Sequence, residues 1–338
     1  RMCADLRHYL YFIKSFSGYY WDNNEPKVIT SQMKNDNETY SALGEVGDFQ
    51  QKRTRWARIR LDLAKSPLTA RFGLLVILIY GFVALFAPFI APYGEAEVFP
   101  IPYAPWSSEF IFGTDQIGRD IFSRLIYGAR NTVGIAVATT ALAFIIGGIL
   151  GLTAAIARGW LDQLLSRTVD VLMAIPSLIF ALVLLSIFGS TVTNLIIIIA
   201  VLDSTRVFRL TRAVSINVVV MDYVEAARLR GEGLVWIMRR EILPNIMPPL
   251  IAEFGLRFCF VFLTIAALSF LGVGIQPPTA DWGSMVRENA SLIQFAQYDI
   301  KAGLTPLLPA SAIALLTVAV NFVVDWFLHK TSGIRDEQ

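Results

Sequence analysis

The chain is predicted to be an all-α integral membrane protein with six transmembrane helices, and three observations carry that prediction. Of its 338 residues 55% are hydrophobic and only 17% are charged, whereas an average soluble domain is about a quarter charged. The apolar residues gather into long uncharged blocks, longer than the helices of a soluble core require. Threading those blocks alternately across a bilayer places the arginine-rich segments on one side. The net charge of +2 says little about partners, and no nucleic-acid partner is expected.

Residues 1–50 are polar and irregular, rich in Asn, Asp, Ser and Tyr, and are expected to form a poorly ordered cytoplasmic tail. Arg1 is no initiator and Met33 begins a stretch typical of a soluble N-terminus, so residues 1–32 read as an upstream translation or truncation artefact. The triplet Asn37-Glu38-Thr39 is a chance sequon. Residues 51–71 form a basic segment containing Lys52, Arg53, Arg55, Arg58, Arg60 and Lys65, ahead of the apolar run Phe72 to Ile90. That run suits a bilayer of about 30 Å and exceeds the 7–15-residue core of a cleaved signal peptide, so it is the first span, entering from the cytoplasm.

The remaining spans of a membrane domain over residues 72–330 fall near Thr132 to Ala157, Val171 to Phe188, Thr193 to Phe208, Pro248 to Gly274 and Thr305 to Leu328. Alternate threading leaves Arg158 and Arg167 inside, together with Arg206, Arg209, Arg212, Arg228, Arg230, Arg239 and Arg240 in one connector. The connectors Ala91 to Asn131 and Ile275 to Leu304 lie outside, and both termini, including the tail 331–338, lie in the cytoplasm. Pro176, inside the third block, is expected to kink it. Cys3 and Cys259 are far apart, and Cys259 reads as a small buried hydrophobe. His8 and His329 are the only histidines, which argues against a histidine metal site or a Ser-His-Asp triad.

The most informative stretch is the cytoplasmic connector 213–247. Asp222 and Glu225 have the spacing of a capping box, Ala226 and Ala227 favour helix and allow close approach, and Gly231 breaks the segment. A short helix, a bend and a second short helix are expected, with Pro244, Pro248 and Pro249 stopping the second piece before the fifth span. Such a segment cannot cross the bilayer. It suits docking to another protein, and an amphipathic helix lying on anionic lipid is the equal alternative from physics alone.

Glu225-Ala226-Ala227, Gly231 and Leu243-Pro244 at these spacings resemble the EAA loop of bacterial ABC-importer permeases. Phe112-Gly113-Thr114-Asp115-Gln116-Ile117-Gly118-Arg119-Asp120, Tyr127-Gly128-Ala129-Arg130, Leu268-Ser269-Phe270-Leu271-Gly272-Val273-Gly274, Pro277-Pro278 and Asp281-Trp282-Gly283 resemble the second permease subunit of the dipeptide/oligopeptide/nickel family. The resemblance runs from about Arg58 to the C-terminus. It implies a type I importer fold, and a coupling helix within Glu225 to Pro244 seated on a separate ATPase subunit. It also implies a machine completed by a second, homologous permease, two ATPase subunits and an extracytoplasmic binding protein. ATP and Mg2+ would be bound by the ATPase subunits, and this chain would carry no cofactor and catalyse nothing. Members often carry an acidic residue shortly before the Ser-Phe-Leu-Gly segment, where this chain has Ile265.

Charges inside the blocks invite a functional reading. Glu253 and Arg257 are four apart on one helical face, Asp203 and Arg206 form a close pair at the end of the fourth block, and Asn321 and Asp325 lie near the inner end of the sixth. Lining of a translocation pathway is one reading. Structural anchoring near helix termini, where snorkelling lowers the cost, is the other and the favoured one. No phosphate-binding loop, paired-histidine zinc motif or dinucleotide fingerprint occurs, and no inverted repeat is apparent. Peptide import is the leading function, with nickel chelates, opines or sugar derivatives, or a channel outside the ABC class, as alternatives.

Overall fold

A computed structural model describes residues 66–332 and two short strands near the N-terminus. The strands β1 (Tyr19–Asp22) and β2 (Glu25–Val28) pair antiparallel, Tyr19 opposite Val28, within an N-terminal unit Arg1–Ala64 that is distinct from the unit Lys65–Gln338. The rest of the expected tail 1–50, most of the basic segment 51–71 and nearly all of the tail 331–338 lie outside the described residues.

The second unit is helical. Its elements are α1 (Leu68–Ile90), α2 (Ile121–Gly128), a π-helical turn (Ala129–Val133), α3 (Gly134–Ala157), α4 (Gly159–Ala174), α5 (Ser177–Phe188) and α6 (Val192–Val219). There follow α7 (Asp222–Leu229), α8 (Leu234–Ile237), a second π-helical turn (Met238–Ile242), α9 (Leu243–Phe270), α10 (Trp282–Asn289), a 3-10 turn (Ala290–Phe295), α11 (Ile300–Leu304) and α12 (Leu307–Ser332). Among the described residues four helical runs are long and apolar enough to cross a membrane: Leu68–Ile90, Ile121–Ala157, Leu234–Phe270 and Ile300–Lys330. Helices α4 and α5 meet the same standard only taken together, as a pair bent by 89° that is a broken span or a re-entrant loop. Helix α6 has the length, 28 residues, but carries Asp203, Arg206, Arg209 and Arg212.

All six apolar blocks therefore fall on helices, with three corrections. The third is not a kinked rod but two helices meeting at Ile175-Pro176, where the missing N–H and the extended residue before proline end α4 outright. The fourth does not end at Phe208. Helix α6 continues to Val219, burying Thr211, Ser215 and Val219, while its inner arginines pair with acids on α4, Arg212 with Asp162 and Arg209 with Asp170 at 2.6 Å. Arg206, Arg209 and Arg212 accordingly lie on a helix and not in a connector.

The prolines ahead of the fifth block, finally, do not stop a helix. Pro244 lies in the first turn of α9, and Pro248 and Pro249 lie inside it. The π-helical turn before them loosens the ladder.

Helix α3 lies along α6 in the most extensive pairing of the fold, α1 packs on α12, and α9 contacts α12, α6 and α3. The main core gathers buried residues of α2, α3, α5, α6, α9, α10 and α12, among them Leu185, Ile199, Phe262, Ile265, Trp282 and Leu316. Ile265 is wholly buried there, so apolar packing occupies the position where relatives of the resembling type often carry an acid. Cys259 is buried beside it with a free thiol.

Candidate functional site

Three groups of residues stand out, two at opposite ends of α3 and one between them. At the end where α3 finishes, Val224 and Ala227 of α7 are wholly buried and join Leu152, Ile237, Ile242 and Ile246 in a second, smaller core. Three residues apart on a helix, they form one anchoring face. The opposite face of α7 presents Tyr223, Glu225, Ala226 and Leu229. Leu229 is 83% exposed, Leu234 62% and Val235 76%, so the connector displays apolar side chains beside its charges.

The alanine pair divides its labour, with Ala227 against the bundle and Ala226 outward. Gly231 takes φ +82° in open space and donates its N–H to Arg228 at 2.9 Å, the left-handed turn that separates α7 from α8. Leu243 packs partly against the second core, whereas Pro244 is exposed. The capping box does not form: Met221 is the cap residue, Asp222 is already helical, and no side chain caps the helix. Residues 213–219 belong to α6 and 243–247 to α9, so the connector proper is 220–242.

Between the ends, four charges predicted as two separate pairs form one cluster. Arg257 Nε lies 2.7 Å from Glu253 Oε1, and Arg257 Nη1 and Arg206 Nη1 lie 3.7 and 3.6 Å from the same Asp203 Oδ1. The Arg257 guanidinium also sits over the Phe260 ring, 4.5 Å from its centre. Asp203 and Arg257 are each more than ten residues from the ends of α6 and α9, not in terminal turns, since both helices are longer than their apolar blocks. Asn321 stands apart, its amide donating to Thr317 of its own helix at 2.9 Å, and Asp325 is exposed. A cavity of about 320 Å³ opens beside Asp203 and Arg206 at the α4–α5 break, bounded also by Pro176, Ser177, Phe260 and Thr264.

The third group joins motifs far apart in sequence. Asp115 accepts from Arg119 Nε at 2.7 Å and from Arg124 Nη1 at 2.5 Å, and Glu288 of α10 accepts from Arg119 at 2.9 Å and Arg124 at 2.7 Å. All four side chains are at most 5% exposed. Alongside, Asp281 accepts from the Thr132 hydroxyl and caps α10 through Ser284 N–H, while the Trp282 indole donates to Leu125 at 2.9 Å. Burial pushes the Asp281 carboxyl above the usual carboxylate range, and the donors at Ser284 and Thr132 pull it back. Glu95 accepts from Ala280 N–H and from Asn131, each at 2.9 Å. The two connectors predicted to share a face thus lock together; of the residues involved, Asp115, Arg119, Asp281 and Trp282 stood out in sequence only as family markers, and Glu288 did not stand out. The signal available was Asp120 with Ser123 three residues on, which caps α2, a helix the block boundaries omitted.

The family described as "Binding-protein-dependent transport system inner membrane component" matches residues 143–330, and the family described as "N-terminal TM domain of oligopeptide transport permease C" matches residues 54–105. A di/tripeptide transport system permease protein of Pseudomonas aeruginosa is 39% identical over 271 residues, covering 78% of this chain and 85% of that one. A dipeptide transport system permease protein of Alkalihalophilus pseudofirmus is 34% identical over 282 residues, 83% and 88% of the two chains. A chain of an inward-facing methionine ABC transporter is 18% identical with a TM-score of 0.42, covering 61% of this chain and 97% of that one. A matched segment longer than half the chain, together with relatives spanning most of it, makes this protein a member of the binding-protein-dependent transport system inner membrane component family, an ABC-importer permease of the dipeptide and oligopeptide type.

Proposed function

We propose that this chain forms half of the translocation pathway of an ATP-driven peptide importer and receives its stroke through the connector 220–242. The observation that carries the reading is the two-faced packing of α7. Val224 and Ala227 anchor it to the bundle, while Glu225, Ala226 and Leu229, with Leu234 and Val235 beyond Gly231, are left outward. An exposed apolar patch rimmed by charge marks a protein interaction surface, here for a nucleotide-hydrolysing subunit. Helix α6 leads into this connector and α9 leads out of it, so a displacement of α7 acts on both flanks of the Asp203 cluster. The names of the relatives support peptides as cargo.

In this reading the connector end faces the cytosol of a bacterial cell, as do both termini. A second, homologous permease completes the pathway, two ATPase subunits bind ATP and Mg2+, and an extracytoplasmic binding protein delivers cargo. This chain supplies conformational change and no chemistry.

Gly231→Pro tests it. Proline fixes φ near −65° and removes the N–H that Gly231 gives to Arg228. Co-purification of the ATPase subunits and uptake of labelled dialanine are expected to be lost, with membrane insertion intact. Retention of both would overturn the coupling assignment.

A further inference from the structure

We propose that the cavity at the α4–α5 break is a transit site in which Asp203 receives the primary ammonium group of a passing cargo molecule. This deepens the peptide-import reading and rests on it. Asp203 is only 8% exposed, borders the cavity, and has an Oδ2 with no hydrogen-bond partner among the described residues. Its Oδ1 is shared between Arg206 and Arg257 at 3.6 and 3.7 Å, longer than hydrogen bonds. A buried carboxylate oxygen left without a donor is unfavourable, and a group that brings one is correspondingly welcome.

An ammonium fits that vacancy in three respects. It brings three donors, of which one or two satisfy Oδ2. Its charge complements a carboxylate whose second neighbour, Arg257, also faces Glu253 at 2.7 Å and the Phe260 ring. Ser177, Thr205 and Thr264 supply hydroxyl-bearing side chains around the same space, and the remaining wall is apolar, as a site passing varied side chains needs. Arg206, 42% exposed, stands at the rim of the same cavity. Occupancy touches α6 and α9 together, the two helices that flank the connector.

The test uses the assembled transporter in membranes, with Thr264→Cys introduced beside Cys3→Ser and Cys259→Ser. Thiol labelling of this chain is followed by mass with 2-aminoethyl methanethiosulfonate, a cation, and 2-sulfonatoethyl methanethiosulfonate, an anion. Rates are normalised to those at Tyr298→Cys, 82% exposed and away from both the connector and the cavity. The cation is expected to react faster at position 264 by on the order of tenfold, Asp203→Asn to remove that preference, and Asp203→Glu to keep it. Dialanine supplied with binding protein and ATP is expected to slow the cation.

Equal ratios in the Asp203 and Asn forms, loss of preference in Asp203→Glu, no reaction with either reagent, or no slowing by dialanine each overturns the site. Dialanine uptake by the unsubstituted complex is read in the same membranes. Its absence defeats the import reading, whereas normal uptake with an Asp203-independent ratio defeats only the transit site.

Discussion

At the scale of single residues, the buried quartet Asp115, Arg119, Arg124 and Glu288 makes the sharpest demand. Each carboxylate serves both arginines, so Glu288→Gln leaves two cations around one acid in a site at most 5% exposed. Removing one partner of a buried ion pair is expected to destabilise by about 3–5 kcal/mol, read as a lowered thermal midpoint of the purified complex. An unchanged midpoint would mean that water reaches the quartet. Sequence spacing could show Glu253 with Arg257, because four residues make one helical step; Asp115 meets Arg119 across a turn, where no such period applies. It could not show Glu288 or Asp203 as their shared partners, since those meet them only across helices. The same blindness joined Ala226 with Ala227, neighbours in sequence of which the structure exposes the first and buries the second.

At the scale of elements, helices α3 and α6 approach closely because Gly147 and Gly151, four apart, carry no side chain. A Cβ on Gly147 would sit 2.5 Å from the Ser204 carbonyl oxygen and 2.7 Å from Val207, and one on Gly151 2.8 Å from the Phe208 oxygen. This is the small-residue seam by which helices associate in lipid. Gly151→Val is expected to cost about 1–3 kcal/mol, the usual range for overpacking, and to lower the yield of assembled complex in detergent. Gly148→Val, which meets open space, is the matched control and is expected to be silent. Helix existence was readable from apolar length, but helix ends were not. The inner half of α6 buries Thr211, Ser215 and Val219 and pairs Arg209 and Arg212 with Asp170 and Asp162, and tertiary contacts of that kind leave no mark on hydropathy.

At the scale of the whole molecule, α3 sets the distance between the two ends. Its 24 residues span about 36 Å at 1.5 Å each, from Thr132 and Asp281 beside its start to Leu152 and Ile156 in the smaller core. Leu229→Cys, at 83% exposure, is expected to label only from the cytosolic side, and Tyr298→Cys, at 82%, only from the opposite side. Both labelling from one side would end the proposed threading. Alternation of arginine-rich and acidic connectors is what predicts this orientation, while the joining of the two outer connectors into one structure left no such pattern in the sequence. That joining has a consequence for the environment it meets. Two guanidiniums and two carboxylates cancel, and they lie away from solvent, where dissolved ions screen little. The clasp between these connectors is therefore expected to hold alike in fresh water and in brine, independent of a salinity the cell does not control.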